Sequence, residues 1–246
     1  MRTKLFLIGL FCLVVPCDYL ASQSPQSAQT QQDVLSQNAA HFSDYDFDKP
    51  YFNRPVAKDG TVDLSASMLN DYGTSPPGSP RIAPEEEFQR TLNNFPVILI
   101  GVAVEQQSTL MPRGSFIISD WKIRVTHVYK NTSPLEAVES QQVTVARTGG
   151  HLTVGNLKLI AKDGNFPDFQ LGHTYLLGLM PLVKTNSFKA EGYGSFDVTG
   201  PTVGYLVDPQ SPTDLRDWAA SLSPSEFLEV VGERAQSKPK HVSSAP

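Results

Sequence analysis

Three histidines, His127, His151 and His173, stand within one stretch of the chain, enough in number for a zinc site if the fold brings them together. The spacing argues against it. If the strand carrying His127 pairs with the next one so that Lys130 faces Gln142, His151 comes level with Trp121, and six residues of strand, about 20 Å, separate it from His127. His127 then reads as a half-buried sheet residue and His173 as a turn residue. Asp44, Asp46 and Asp48 alternate like the first ligands of a calcium loop, but Lys49 stands where the turn glycine belongs and Pro55 where a bidentate glutamate belongs. Gly192-Tyr193-Gly194-Ser195 lacks the glycine two residues before the serine that a hydrolase elbow requires. There is no phosphate-binding loop and no paired-histidine helix motif. No catalytic residue, metal ligand or cofactor site is assigned.

One arrangement keeps a hydrolase reading open. His151 follows Gly149 and Gly150, whose backbone could offer N–H donors to an oxyanion, with Ser119 or Asp120 on the neighbouring strand. The simpler reading is that the paired glycines let the chain bend at a barrel corner. As a partner surface rather than an active site, the candidates are Gly149, Gly150, His151, Phe166 and Phe169, the two phenylalanines acting as anchors if exposed. Asn131-Thr132-Ser133 matches a glycosylation sequon but is followed by Pro134.

The elements that must position these residues begin after a leader. Arg2 and Lys4 precede an uncharged apolar run from Leu5 to Val15, the pattern of an export signal, with Leu20 and Ser22 placed for a cut after Ser22. The run is shorter than the about 20 residues that cross a bilayer, so no transmembrane span is expected and the mature chain should be secreted or periplasmic. Lipid anchoring at Cys17 is disfavoured by Pro16, which stands where lipoprotein sites carry a small residue. Both cysteines, Cys12 and Cys17, precede the expected cut, so no disulfide is expected.

The formal charge of −5 is unevenly spread: residues 23–90 hold ten acids against five bases, and residues 91–208 hold nine of each. A neutral domain without a basic patch argues against nucleic-acid binding. Residues 23–90, rich in Gln, Ser and Pro, read as a largely disordered linker, part of which could dock through Tyr51, Phe52, Val62, Leu64, Met68 and Leu69; residues 236–246 read as a disordered tail.

Residues 91–208 carry a β pattern. Val97 to Val104 is an apolar strand with a bulge or close approach at Gly101. From Ile117 to Tyr129 the odd positions Ile117, Trp121, Ile123 and Val125 form one apolar face, so Trp121 is a core residue. Val143 to Arg147 follows, then a hairpin from Leu152 to Ile160 whose Gly155-Asn156 turn sets Val154 opposite Leu157 and Leu152 opposite Leu159. Tyr175 to Leu182 is apolar on both faces, as a central strand would be, and short strands follow near Phe188, from Phe196 to Thr199, and from Val203 to Val207. Residues 209–235 repeat apolar positions at helical spacing and should form short helices on the barrel. The expected fold is mainly β: a small antiparallel OB-like Greek-key barrel or sandwich with short C-terminal helices.

Three segments, Val97-Ile-Leu-Ile-Gly101-Val-Ala-Val104, Trp121-Lys-Ile-Arg-Val-Thr-His-Val-Tyr-Lys130 and Phe169-Gln-Leu-Gly172-His-Thr-Tyr175-Leu-Leu177, resemble the pattern of secreted bacterial domains related to the netrin/tissue-inhibitor-of-metalloproteinase module. The resemblance covers about a hundred residues and implies an OB-like barrel. The inhibitors of that family chelate a protease zinc through a cysteine at the mature N-terminus and are held by disulfides; the mature chain expected here has neither, which sets that mechanism aside. The expected function is that of an exported, non-enzymatic β-domain binding a protein or other envelope or extracellular partner. The alternatives are a hydrolase using His151 and an envelope component tethered through Cys17.

Overall fold

The computed structural model describes residues 51–65, 82–111, 114–164, 166–207 and 214–235, together with Asn38, His41 and Phe42. The leader, its cut site, Cys17, the three alternating aspartates, Met68, Leu69 and the tail lie outside the described residues. In chain order the elements are β1 (Thr61–Asp63), α1 (Pro84–Asn94), β2 (Val97–Leu110), β3 (Ile117–Asn131), β4 (Gln142–Thr148), β5 (Gly150–Val154), β6 (Leu157–Ala161), β7 (Thr174–Leu182), β8 (Ser187–Asp197), β9 (Gly204–Tyr205), α2 (Asp214–Ser221) and α3 (Pro224–Ala235).

The main sheet runs β4-β3-β2-β7-β8-β9, and a further pairing of β4 with β8 closes its first five strands into a barrel. Neighbours are antiparallel except at that closing pair, which is parallel. This is the OB-type Greek-key arrangement, and the chain is a mainly β protein. The period-2 alternation of β3 sends Trp121, Ile123 and Val125 inward, where they meet Val97, Leu99, Val143, Val145, Tyr175, Leu177 and Phe188. Gly101 sits at a register shift between β2 and β3, and a Cβ there would lie 2.4 Å from Ile123 Cγ2 and 2.9 Å from the Arg124 carbonyl oxygen. The backbones approach because a hydrogen occupies that place.

A second sheet, β1-β6-β5, rests on the barrel. The two-residue turn sets β5 against β6 in the register its sequence specifies, Val154 facing Leu157 and Leu152 facing Leu159. β1 adds in parallel to β6, and Phe42, Val62 and Leu64 are buried with Ile117, Ile118, Ala146 and Leu159. Part of the stretch that reads as linker is therefore core.

Helices cover the opposite flank. α1 starts at Pro84 with Glu85, Glu86 and Glu87 in its first turn, where the helix dipole favours acids, and stops at Phe95 before Pro96, which disfavours helical backbone in the residue preceding it. It spans residue 91, where composition places the domain's start. Ser223 and Glu226 bond each other's backbone N–H groups and open α3 with a capping box. Phe88, Phe196, Trp218 and Phe227 form one aromatic cluster with ring centroids 5.0–6.0 Å apart, joining all three helices to β8. No helix among the described residues is long and apolar enough to cross a membrane.

Two sequence expectations about register change. β3 pairs with β4 through Arg124↔Gln142 and Ile118↔Thr148, six residues away from a Lys130↔Gln142 register. The connection between them is no tight hairpin: β3 continues alone against β2 to Asn131, and Leu135 and Ala137 fold back onto the core before the chain returns. The two short segments near Phe188 and Phe196 are one strand, β8, interrupted where its pairing jumps from Leu179↔Ala190 to Leu177↔Ser195.

Candidate functional site

The glycine break and the phenylalanine loop meet at the end of the barrel, and what joins them is Arg147. It continues the inward phase of Val143 and Val145, so its side chain runs into the interior and is wholly buried. The guanidinium donates from Nε to Thr148 O at 3.0 Å, from Nη1 to Pro167 O at 2.5 Å and from Nη2 to Phe166 O. Its Nη2 lies 3.3 Å from Asp168 Oδ1, and its carbon centre stands 4.1 Å from the Phe166 ring centroid and 5.1 Å from that of Phe169. Burial pulls its pKa below the ordinary value while Asp168 and Asp163 oppose that shift. Such a planar, multiply bonded cation fixes a loop rather than reacting.

Phe166 and Phe169 are 4 % and 3 % exposed, packed edge-on to each other and, through Phe169, on Trp121 and Tyr175. They are not surface anchors, because their rings close the barrel end over Arg147. Tyr175 receives the Gln170 N–H at 2.6 Å, and burial pushes its phenol up to about 12. What the loop leaves outside is its crest, where Leu171 is 61 % exposed.

Gly149 and Gly150 hold φ of +91° and +135°, and here the chain leaves the barrel sheet for the second one. The bend is the corner the paired glycines predict. A Cβ on Gly150 would stand 2.1 Å from Ser119 Oγ and 2.7 Å from Ser108 Oγ. The Gly149 N–H donates to Ile117 O at 2.9 Å and its carbonyl accepts from Ser119 Oγ at 2.7 Å. Ser119 also takes Gln106 Nε2 at 3.1 Å and touches Ser108 Oγ at 2.9 Å. The serine's single proton is thus committed to a carbonyl, and the Gly149 N–H is not free to meet an oxyanion. His151 is exposed on β5 and close enough to Asp168 to act on its charge.

The other histidines pair apart from it. His127 Nδ1 meets Glu139 Oε1 at 2.7 Å on the surface, and His173 Nδ1 meets Asp197 Oδ2 at 2.8 Å. Among the described residues no three His, Cys, Asp or Glu side chains gather to hold a metal.

Asp120 departs furthest from its sequence reading. It alternates with Trp121 and so faces away from the barrel interior, yet it is 6 % exposed, because Asn38 and the second sheet's layer cover it. Burial pushes its carboxyl up to about 6 against the lowering effects of Asn38 and Lys122. For Arg147 the missed signal was its phase with Val143 and Val145; for Asp120 no local signal exists, since its cover comes from residues remote in the chain.

No protein-family model and no curated protein matches the chain.

Proposed function

We propose that this chain is an exported binding module rather than an enzyme, engaging a protein or other envelope partner outside the cytoplasm. The observation that carries the reading is the commitment of Ser119 and Gly149 to one another and to Ile117, which gives the groups best suited to hydrolysis structural work instead. The basic start and short apolar run of the leader support export. The OB-type barrel is the fold that the resemblance to the netrin/tissue-inhibitor-of-metalloproteinase module implies, and barrels of this kind commonly bind through a sheet face and adjoining loops. The surface we assign comprises His151 and the Arg147-pinned loop with Leu171 at its crest; a rigid loop presenting an exposed apolar side chain loses little entropy on binding.

The test combines capture with chemistry. The processed chain, whose N-terminus by mass spectrometry should lie at or near Gln23, is used to capture partners from its own envelope, beside Leu171→Asp and His151→Ala variants. A partner retained by the wild type and lost from Leu171→Asp supports the surface. His151 is exposed, so His151→Ala should shift stability by no more than about 0.5 kcal/mol. Esterase or peptidase activity in the wild type that falls about 100-fold or more in His151→Ala would replace the binding reading with the hydrolase one.

A further inference from the structure

We infer that the chain forms a two-fold dimer in which the open edge of β5 pairs antiparallel with β5 of a second copy, Leu152 facing Leu152 across the axis. The second sheet, β1-β6-β5, has two outer edges, and the chain treats them differently. Lys158 gives its N–H to Gly60 O at 3.0 Å, and Ile160 O accepts the Leu64 N–H at 2.7 Å, so the main-chain groups of these β6 residues turn toward β1. Thr153 and His151, which face them across the hairpin, must turn their own N–H and C=O groups the other way, off the edge of β5. Among the described residues none of these groups finds a hydrogen-bond partner, and both residues are exposed.

The edge at β1 is closed. Thr61 O accepts the Ala57 N–H at 2.8 Å, the Thr61 N–H is held by Asp59 Oδ1 at 3.1 Å, and Arg54 Nη1 donates to Asp63 O at 3.3 Å. A second copy therefore cannot lay its β5 along β1 and so build a filament without breaking those bonds; β5 is left to meet its own like, which closes the assembly at two. Nor does β5 carry the devices that keep an edge apart. Gly150-His151-Leu152-Thr153-Val154 holds no lysine, acid or proline, and its pairing with β6 has no register shift.

The edge is also complementary to itself. About an axis through Leu152, His151 faces the second copy's Thr153 and Thr153 faces its His151, so each facing pair exchanges both main-chain bonds, four in all, and no outward group is left over. An axis through His151 would set Thr153 against Gly149, whose N–H and carbonyl are already bonded to Ile117 O and Ser119 Oγ. An axis through Thr153 would set His151 against Gly155 in the turn. Either keeps two bonds where the first makes four. On the inner face Leu152 and Val154 are half-buried at the rim of the apolar cluster that holds Ile117, Ile118 and Leu159, and the second Leu152 would cover the first. Lys158, the charged residue of β6, would stand three strand spacings, about 14 Å, from its copy, beyond the screening length of about 8 Å in physiological salt. The two small sheets would become one of six strands with a closed β1 at either end. The His151 side chain would stay on the outer face, so the partner surface would be presented twice. The dimer does not depend on the binding reading, since a chain that captures nothing could still form it.

Sedimentation equilibrium of the processed chain, from about 1 to 500 μM, tests this. It should show monomer and dimer with a dissociation constant in the micromolar range, because an interface of this size is small. Thr153→Pro removes an N–H that the fold does not use and should weaken the dimer about tenfold or more. The register is read by crosslinking, since both native cysteines precede the expected cut and an introduced thiol stands alone. Leu152→Cys should form an intermolecular disulfide on mild oxidation, its Cα about 4.5 Å from its copy, whereas Val154→Cys, about 14 Å from its copy along the strands, should not. A chain monomeric throughout that range, growth beyond the dimer, a dimer indifferent to Thr153→Pro, or equal crosslinking by both cysteines would overturn the inference. Should Thr153→Pro lose the wild-type circular dichroism, the cysteine pair decides. A pure chain that stays monomeric while Thr153→Pro loses a captured envelope protein would give the edge to that protein instead. Leu171→Asp, which tests the partner surface, should dimerise as the wild type does, so the failure of one reading leaves the other standing.

Discussion

Arg147 shows how one buried cation can organise a surface that it never reaches. Its bonds to Thr148, Phe166 and Pro167 satisfy three carbonyls at the barrel end, whereas its ionic partner Asp168 is 41 % exposed by side chain. The hydrogen bonds and the packing, not the ion pair, should therefore dominate. Arg147→Met should lower unfolding free energy by about 2–4 kcal/mol, and Asp168→Asn by about 1 kcal/mol or less, measured by urea denaturation. Comparable losses in both would place the energy in the ion pair instead. The same residue marks a limit of sequence reading. Phe166 and Phe169 sit in a polar-flanked loop and look available, and only the burial of a charge in phase with Val143 and Val145 turns them inward.

Among the elements, register was legible wherever a turn was short enough to dictate it. The Gly155-Asn156 turn leaves β5 and β6 one pairing, and the alternation of β3 names its inner face. The ten residues between β3 and β4 dictate nothing, because the loop stores chain against the core, and a slip of six residues there preserves the inward face. The interruption of β8 has a different origin. Gly178 on β7 and Gly194 on β8 leave a slot filled by the Phe95 ring: a Cβ on Gly178 would stand 2.4 Å from Phe95 Cδ2, and one on Gly194 2.4 Å from its Cε2 and Cζ. Phe95 is thereby the wedge that seats α1 on the barrel. Gly178→Ala should cost about 1–3 kcal/mol through overpacking. Adding Phe95→Leu should recover part of that loss, so a double-mutant cycle should return strong coupling; independent effects would mean that the slot is not what the ring requires.

The whole molecule is a barrel insulated on two sides by its own chain: helices over β2, β7 and β8, and a small sheet with Phe42 over β3 and β4. Fold class, the helices after the sheet and the corner at Gly149-Gly150 could be read from periodicity and turn chemistry. The second covering layer could be read only in part: its hairpin and the docking of Val62 and Leu64 were legible, but not that Phe42 joins them on Leu159, because those segments share no mutual signature. The barrel's closure carries a further consequence. β4 and β8 are joined by two residue pairs, Val145↔Phe188 and Ala146↔Lys189, in parallel, whereas β2 and β3 share a long antiparallel ladder between neighbours in the chain. A seam so short and so remote in sequence has to wait for local hairpins to form, so it should be absent from the folding transition state. Phe188→Ala, which empties a buried position at that seam, should cost about 3 kcal/mol. That cost should appear almost wholly as unfolding accelerated about a hundredfold, with the folding arm of the stopped-flow chevron unmoved. A depressed folding arm would mean that the ring closes early, and the molecule's lifetime would then be decided elsewhere than at its seam.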